Sequence, residues 1–220
     1  MNRSGHKVLV WDAATRLFHW LTVVLVIASY ATWEMNWMDW HAWTGEAVLA
    51  FVLFRMLWGF FGSETARFST FVASPEAAAA YVATVLRPER DRQVGHNPVG
   101  GWMVLLLLAL LLAEALTGLF VDNDVANDGP LTELVPSTIA NFITDLHLYF
   151  WDALLVAAIL HVLAILLYAG AKRHDLVTPM ITGFKTLPED IKQPHLAGAV
   201  RAAFLFVCSA LATAALTRYL

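Results

Sequence analysis

Four histidines lie in or beside long apolar segments: His19, His41, His147 and His161. His161 follows His147 by fourteen residues. Fourteen helical steps of about 100° end about 40° short of four full turns, so both imidazoles lie on one helix face, about 21 Å apart. Ionisable groups at such depths in a membrane are costly and normally face a bundle interior or a binding site.

Depth predicts how these histidines pair. His19 and His161 lie near one face of the membrane, and His41 and His147 lie near the other. Two opposed imidazoles on separate helices can bind one haem iron axially, so two pairs would hold two haem groups. Because this ligation leaves no open coordination position, the expected chemistry is electron transfer across the membrane. For each histidine alone, the alternative is an interhelical hydrogen bond.

Two arginines and two glycines extend this hypothesis. Arg55 follows His41 by fourteen residues, so it shares that helix face at the level of His19, where a haem propionate would bind it in bidentate geometry. Arg16, one turn before His19, is a second candidate for a propionate, or a simple anchor at the membrane surface. Gly45 and Gly118 would leave room for a flat macrocycle, although helix packing explains them equally well.

The composition requires lipid and excludes other ligand types. Of the 220 residues, 59% are hydrophobic and 15% are charged, whereas a soluble domain is about 45–50% apolar. The single cysteine, Cys208, excludes a disulfide framework and any iron–sulfur or thiolate zinc site, and the net charge of −4 excludes a basic nucleic-acid binder. Histidine is therefore the metal ligand that remains.

Five apolar segments are long enough to cross about 30 Å of hydrocarbon as helices. We predict them at 17–33, 43–61, 99–121, 146–169 and 197–216. A short amphipathic helix is predicted at about 75–87, because Ser74, Pro75 and Glu76 have the order of an N-cap, an N1 proline and a first-turn acid. The predicted fold class is an all-α integral membrane protein, with a four-helix transmembrane haem-binding bundle in residues 1–190 and a fifth C-terminal transmembrane helix in 191–220.

The distribution of basic residues predicts the orientation. Lysine and arginine occur before the first helix, between the second and third, and between the fourth and fifth. The connections 34–42 and 122–145 contain carboxylates and neither lysine nor arginine. Because basic residues are retained in the cytoplasm, we expect a multi-pass protein of the bacterial inner membrane with a cytoplasmic N-terminus and a periplasmic C-terminus. His19 and His161 then belong to the cytoplasmic side, and His41 and His147 to the periplasmic side.

Four stretches of the sequence resemble a known family. They are VWDAATRLFHW around His19, DWHAWTGEAV around His41, GHNPVGGWMVLLLLALLLAEALTGLF, and HLYFWDALLVAAILHVLAILLY with His147 and His161. Over about residues 8–186 the chain is similar to the bacterial cytochrome b561 family, which is related to the di-haem cytochrome b subunits of nickel–iron hydrogenases and formate dehydrogenases. The resemblance implies a four-helix core with two b haems, ligated at these same four histidines.

The resemblance also implies electron exchange between the membrane quinone pool and a redox partner at one face. We expect that partner to be a periplasmic cytochrome c or a periplasmic redox enzyme, with quinone as an exchangeable substrate. The fifth helix departs from the four-helix pattern. Its small residues favour a helix–helix contact, such as a homodimer or a larger complex, over a purely lipid-facing role.

Two polar residues near the third segment are candidates for the quinone site. His96, in GHNPVG, lies at the cytoplasmic mouth of this segment and either binds a quinone oxygen or bonds to backbone or water. Glu114, fifteen residues into the segment, is either a proton carrier for quinol chemistry or a neutral acid bonded to a neighbouring helix.

Three other functions remain open. Some members of this family oxidise superoxide with quinone, but acidic periplasmic connections would repel this anion and attract a basic protein instead. A histidine-lined metal transporter needs acidic or thiol partners at a shared depth, and only Glu114 and Asp152 are available. A membrane anchor for a partner enzyme needs no cofactor.

Overall fold

The computed structural model describes residues 5–84, 91–122 and 128–219. Within these ranges the chain forms eight α-helices and two short β-strands. In chain order they are β1 (Gly5–Leu9), α1 (Ala13–Glu34), α2 (Met38–Phe61), α3 (Phe68–Phe71), α4 (Pro75–Val82), α5 (Pro98–Gly118), α6 (Ser137–Leu167), α7 (Val177–Thr182), β2 (Phe184–Pro188) and α8 (Ala199–Tyr219). One π-helical turn, Tyr168–Lys172, extends α6.

Five of these helices are long and apolar enough to cross a membrane, which confirms the predicted fold class: α1, α2, α5, α6 and α8. Two of them begin well before the predicted apolar segments, α2 at Met38 and α6 at Ser137. Hydropathy marks where lipid contact begins, whereas hydrogen bonding decides where a helix begins. In α6 the carbonyl of Pro136 already accepts hydrogen bonds from Ile139 and Ala140.

The predicted amphipathic helix is α4, and its start is confirmed. The hydroxyl of Ser74 accepts a hydrogen bond of 3.2 Å from the backbone N–H of Ala77. Backbone hydrogen bonding at this helix start, together with the Ser74 hydroxyl, lowers the pKa of the Glu76 carboxyl. The helix ends at Val82, and residues 85–87 of the prediction lie outside the described residues.

A two-stranded antiparallel sheet is the main feature that the sequence did not predict. Strand β1 pairs with β2 in a register that places Gly5 opposite Pro188 and Leu9 opposite Phe184. Val8 and Leu187, one from each strand, are fully buried in a core with Val10 and Trp11. Each strand has five residues and its partner is at the far end of the sequence, so neither shows a local pattern strong enough to predict.

The chain forms two compact units. Unit 1 comprises Met1–Leu17, Leu57–Leu106 and Ala158–Ala202, and unit 2 comprises Phe18–Met56, Leu107–Ala157 and Ala203–Leu220. Unit 1 holds the sheet. Unit 2 has a core from three helices, α2, α5 and α6, with Val48, Val52, Leu111 and Leu154 buried together. The boundary that we predicted between residues 190 and 191 stays a prediction.

Helix α8 packs against its own chain within unit 2. The ring of Phe206 lies 5.1 Å from that of Phe51 and 5.9 Å from that of Phe54 on α2, measured between centroids. Ser209 and Thr213 of α8 are buried. Helix α8 therefore packs on α2 of its own chain through the Phe206 ring. The predicted contact of this helix with a second copy or another subunit stays a prediction.

Asp12 accepts the side-chain hydrogen bonds that hold the start of α1. Its buried carboxylate accepts hydrogen bonds from the Thr15 N–H at 2.6 Å and from the Trp58 indole N–H at 3.3 Å. We expect Asp12→Ala to lower the free energy of unfolding by about 2 kcal/mol, because the helix loses its cap and Trp58 loses an acceptor. Denaturant unfolding in detergent measures this loss. Asp12→Asn keeps one acceptor oxygen and should lose less; equal stability of Asp12→Ala and wild type would contradict the prediction.

Candidate functional site

Unit 2 contains a cavity of about 300 Å³ among α1, α2, α5 and α6. Two of the four predicted ligands line it, His41 and His147. Three other residues that the sequence singled out also line it: Gly45, Glu114 and Gly118. Leu154 of the apolar core lies in the same wall. The structure thus brings one predicted histidine pair and its predicted neighbours together in one space.

The rings of His41 and His147 have the spacing of two axial ligands. Their centroids are 6.4 Å apart and their planes are nearly perpendicular, at 88°. An imidazole nitrogen binds a metal at about 2 Å, so two imidazoles that hold one iron from opposite sides have centroids roughly 6.3 Å apart. The separation of the His41 and His147 rings matches this value.

Backbone carbonyls hold the far side of both rings. Nδ1 of His41 lies 2.9 Å from the carbonyl oxygen of Ser29, and Nδ1 of His147 lies 3.0 Å from that of Glu114. A carbonyl oxygen only accepts, so each Nδ1 carries the proton and donates it. Nε2 of each ring is then the unprotonated nitrogen, whose lone pair is the one that would bind a metal ion.

Thr117 supports the same protonation state of His147. Its hydroxyl donates to the carbonyls of Ala113 and Glu114, at 2.7 and 3.0 Å. The hydroxyl oxygen is thereby left to accept from Nδ1 of His147, which lies 3.0 Å away. Neither Thr117 nor Ser29 can be recognised from the sequence, because hydroxyl residues that bond to their own helix are common in membrane spans and have no distinguishing spacing.

Glu114 belongs to the same site. Its Oε1 lies 3.4 Å from Nε2 of His147, and each side chain is only 17% exposed. Oε2 of Glu114 is buried and has no hydrogen-bond partner among the described residues. The carboxyl group therefore lies on the Nε2 side of His147, which is the side that would hold a metal ion. Its role in quinol chemistry stays a prediction.

The two predicted glycines have different environments. A Cβ atom at Gly118 would lie 3.2 Å from Cε1 of His147, which is closer than ordinary contact, so glycine here lets the ring approach α5. A Cβ atom at Gly45 would meet no described atom within 4 Å, and this residue faces the cavity. Gly118 thus positions a predicted ligand, whereas Gly45 keeps space open.

An aromatic pair that the sequence did not single out forms part of the cavity wall. The rings of Tyr30 on α1 and Trp151 on α6 are stacked, with centroids 5.1 Å apart and planes inclined by 7°. The Tyr30 hydroxyl donates a 2.6 Å hydrogen bond to Glu34. Aromatic residues near helix ends are typical of any membrane interface, so sequence alone does not distinguish this pair.

His19 and His161 belong to different units. The His19 ring, in unit 2, makes an edge contact with Trp20, with centroids 4.8 Å apart. His161, in unit 1, is half-buried on α6. Their pairing stays a prediction. Arg55, in unit 2, is only 2% exposed on α2, as expected of an arginine that faces the interior of the bundle.

Arg16 contacts backbone in unit 1. Its Nη1 donates a 2.6 Å hydrogen bond to the carbonyl of Ile181 on α7. Its buried Nε has no hydrogen-bond partner among the described residues. The guanidinium therefore fastens the segment after α6 to the start of α1, which is the anchoring alternative, and its role towards a propionate stays a prediction.

His96 lies in an aromatic cluster of unit 1. Its ring is 4.7 Å from that of Trp11 and 4.6 Å from that of Phe71, between centroids. The side-chain amide of Gln93 donates a hydrogen bond of 2.8 Å to the backbone carbonyl of His96. The backbone carbonyl of Gln93 accepts a hydrogen bond of 3.0 Å from Nζ of Lys185 on β2. The segment before α5 is thus tied to the sheet, and His96 is held between two rings.

Carboxylates dominate the charge of unit 2. The sequence has no lysine or arginine between Arg92 and Lys172, and the basic residues of unit 2 are Arg55 and Arg218. Three carboxylate residues besides Glu114 line the cavity: Glu46, Asp122 and Asp128. The field at the cavity therefore favours cations and disfavours free anions.

Comparisons with known proteins identify what this chain is similar to. The sequence profile of the family described as prokaryotic cytochrome b561 matches residues 10–183, which include all four predicted ligands. The probable Ni/Fe-hydrogenase B-type cytochrome subunit of Rhodobacter capsulatus is 21% identical over 223 residues, which cover 86% of this chain and 85% of that protein. No solved structure matches the chain significantly.

Proposed function

Because the chain belongs to the prokaryotic cytochrome b561 family of membrane b-type cytochromes, we propose that it transfers electrons between the quinone pool and a periplasmic redox partner, through two haem b groups. The observation that carries this proposal is the His41–His147 pair. Its ring spacing suits one iron, and both Nδ1 protons are bound to backbone carbonyls.

At this first site the chain's own residues would hold the haem group. His41 and His147 would bind its iron through their Nε2 nitrogens, and the haem group would supply a reversible one-electron carrier. Ser29, Thr117 and the Glu114 carbonyl keep both rings in the ligating tautomer. Apolar side chains of α2, α5 and α6 form part of the cavity wall.

The second site is assigned to His19 and His161. The helical spacing between His147 and His161, and the shared depth of His19 and His161, support this assignment. Arg55 is buried on α2, fourteen residues after His41, and would bind a propionate of this second haem. Arg16 is the alternative residue for that propionate.

The orientation follows from charge. Basic residues flank the His19 and His161 ends of the helices, and carboxylates flank the His41 and His147 ends, so we place the latter pair on the periplasmic side of the inner membrane. The relative from Rhodobacter capsulatus is by its name a hydrogenase subunit, which supports a redox enzyme as partner. A basic cytochrome c is also compatible with the acidic surface.

Quinone would exchange on the cytoplasmic side, at His96. Its ring lies between Trp11 and Phe71, and aromatic side chains of this kind also stack on a quinone ring. The imidazole can donate to a quinone oxygen and pass on a proton. Glu114, in the cavity beside His147, is assigned as a second proton-carrying group.

A haem count tests this function. We expect the purified protein to contain two haem b groups per chain by pyridine haemochrome assay, and its dithionite-reduced minus oxidised spectrum to show b-type α bands. A short-chain quinol should also reduce the bound haem. One haem per chain would contradict the second site, and none would overturn the whole proposal in favour of an anchor or a transporter.

A further inference from the structure

Unit 2 has exposed apolar side chains on residues that come before the predicted lipid-spanning part of α6 in the chain. We call the described residues 128–145 the cap; they include a short 3-10 turn, Thr132–Leu134, and the first turns of α6. Leu134, Ile139 and Phe142 of the cap are 59%, 46% and 60% exposed. Exposed apolar side chains in such a group mark an interaction surface when lipid does not cover them.

The backbone and the charges of the cap place it in water. Residues 128–136 are not α-helical, and non-helical backbone is not tolerated against lipid. The Thr144 hydroxyl on α6 accepts a 3.0 Å hydrogen bond from the N–H of Asp122, so the chain that leaves α5 lies beside the first turns of α6. Glu133 and Asp145 are exposed carboxylates of the cap. Because α6 has 31 residues and about 20 are enough to cross the hydrocarbon, its first turns, which precede Asp145 and carry Ile139 and Phe142, belong to the aqueous end of the helix.

The cap is a fixed platform. The N–H groups of Gly129 and Leu131 donate to the carbonyls of Val121 and Leu119, both at 2.8 Å. The Thr132 hydroxyl donates to the same Val121 carbonyl at 2.9 Å. Ala140 and Leu131 are buried beneath the surface that carries Ile139 and Phe142. A partner that docks there meets a surface that is already ordered.

The inner side of the cap is also a wall of the His41–His147 cavity. Four residues of the cap line it: Asp128, Gly129, Pro130 and Thr144. The cap therefore borders the cavity of the His41–His147 site directly. That proximity is what electron exchange with a soluble partner requires.

Charge decides which kind of protein fits. Asp128, Glu133 and Asp145 are exposed residues of the same segment as Leu134, Ile139 and Phe142, and no lysine or arginine occurs between residues 93 and 171. An apolar centre with a carboxylate rim complements a partner with an apolar centre and a lysine rim.

We propose that the cap is the docking surface for a basic, soluble redox protein that exchanges single electrons with the His41–His147 site. This proposal rests on the function proposed above. One electron leaves the reduced protein and enters the oxidised one; no bond forms or breaks, and no proton is needed.

The test uses the haem-loaded protein in nanodiscs and a basic monohaem cytochrome c. Surface plasmon resonance measures binding, and stopped-flow absorbance measures oxidation of the dithionite-reduced protein by the ferric cytochrome. At low ionic strength, the double variant Glu133→Gln with Asp145→Asn should bind roughly 5–10-fold more slowly and lose part of the salt dependence. Phe142→Ala should raise Kd about 5–10-fold, chiefly through faster dissociation.

Matched changes elsewhere in unit 2 serve as controls. Asp39→Asn removes a carboxylate near the start of α2, and Phe204→Ala removes an exposed ring from α8. Both controls should stay within about twofold of wild type, because neither residue belongs to the cap. Wild-type binding by the cap variants, or equal losses in the controls, would overturn the proposal.

The haem content and the reduction by quinol of each variant separate this proposal from the proposed function. Normal haem content with unaltered cytochrome binding overturns the docking surface alone. Absence of haem from the wild-type protein overturns the function on which it rests.

Discussion

Replacement of His147 by alanine is expected to remove one of two haem groups and to leave the other. His147 faces His41 at 6.4 Å between ring centroids, and nothing else described in the cavity offers a neutral imidazole to replace it. Loss of one of the two nitrogens that would hold the iron should weaken retention of this haem group. The pyridine haemochrome assay should therefore fall from two haem groups per chain to one, and one step should vanish from the redox titration.

The remaining ligand variants distinguish the two sites. His41→Ala should lose the same redox step as His147→Ala, and the double variant should lose no more than either single change, because both residues serve one site. His161→Ala should remove the other step. His195→Ala is the control, since that histidine is exposed and contacts Glu64 through its backbone N–H.

Folding must be monitored beside the haem count. Helix content by circular dichroism and elution as a single species in detergent should be unchanged in His147→Ala, since the ring faces a cavity. Retention of two haem groups in a folded His147→Ala protein would refute its role as a ligand.

Replacement of Gly118 by valine is expected to disturb the same haem without touching a ligand. A Cβ atom there would lie 3.2 Å from Cε1 of His147, and the two further carbon atoms of valine would push the ring away from α5. The displaced ring would lose its bonds to the Glu114 carbonyl and to Thr117. Overpacking of this kind costs about 1–3 kcal/mol.

A graded series makes this prediction specific. Gly118→Ala requires a shift of only a few tenths of an ångström, so its haem occupancy should lie between those of wild type and Gly118→Val. Gly198→Val is the control, because a Cβ atom at Gly198 would meet no described atom within 4 Å. Titration with haem measures the affinity of each variant. Equal haem retention by Gly118→Val and Gly198→Val would show that close approach to α5 does not position His147.

Some features of this protein can be read directly from local patterns. Long apolar runs predict the five spans, because each span must bury its backbone polar groups within itself and must present apolar side chains to lipid. The fourteen-residue spacing of His147 and His161 predicts a shared helix face, because helical geometry alone sets the angle between them. The separation of carboxylates from basic residues along the chain predicts an acidic end of the bundle.

Other features arise only where distant segments meet. The sheet of β1 and β2 joins opposite ends of the sequence, and its register depends on burial of Val8 and Leu187 in one core. The carbonyl of Ser29 holds His41 because α1 packs against α2, and no spacing within either helix shows this contact. The second half of the cap is helical because α6 begins at Ser137, nine residues before its predicted apolar segment.

The membrane class, the spans and the candidate ligands can therefore be predicted from local patterns, since hydropathy and helical periodicity are properties of neighbouring residues along one chain. That His41 faces His147, that Gly118 admits the His147 ring and that Glu114 shares their cavity is visible only once the helices are packed. These contacts depend on side chains from different helices, whose rotation and separation no single segment specifies.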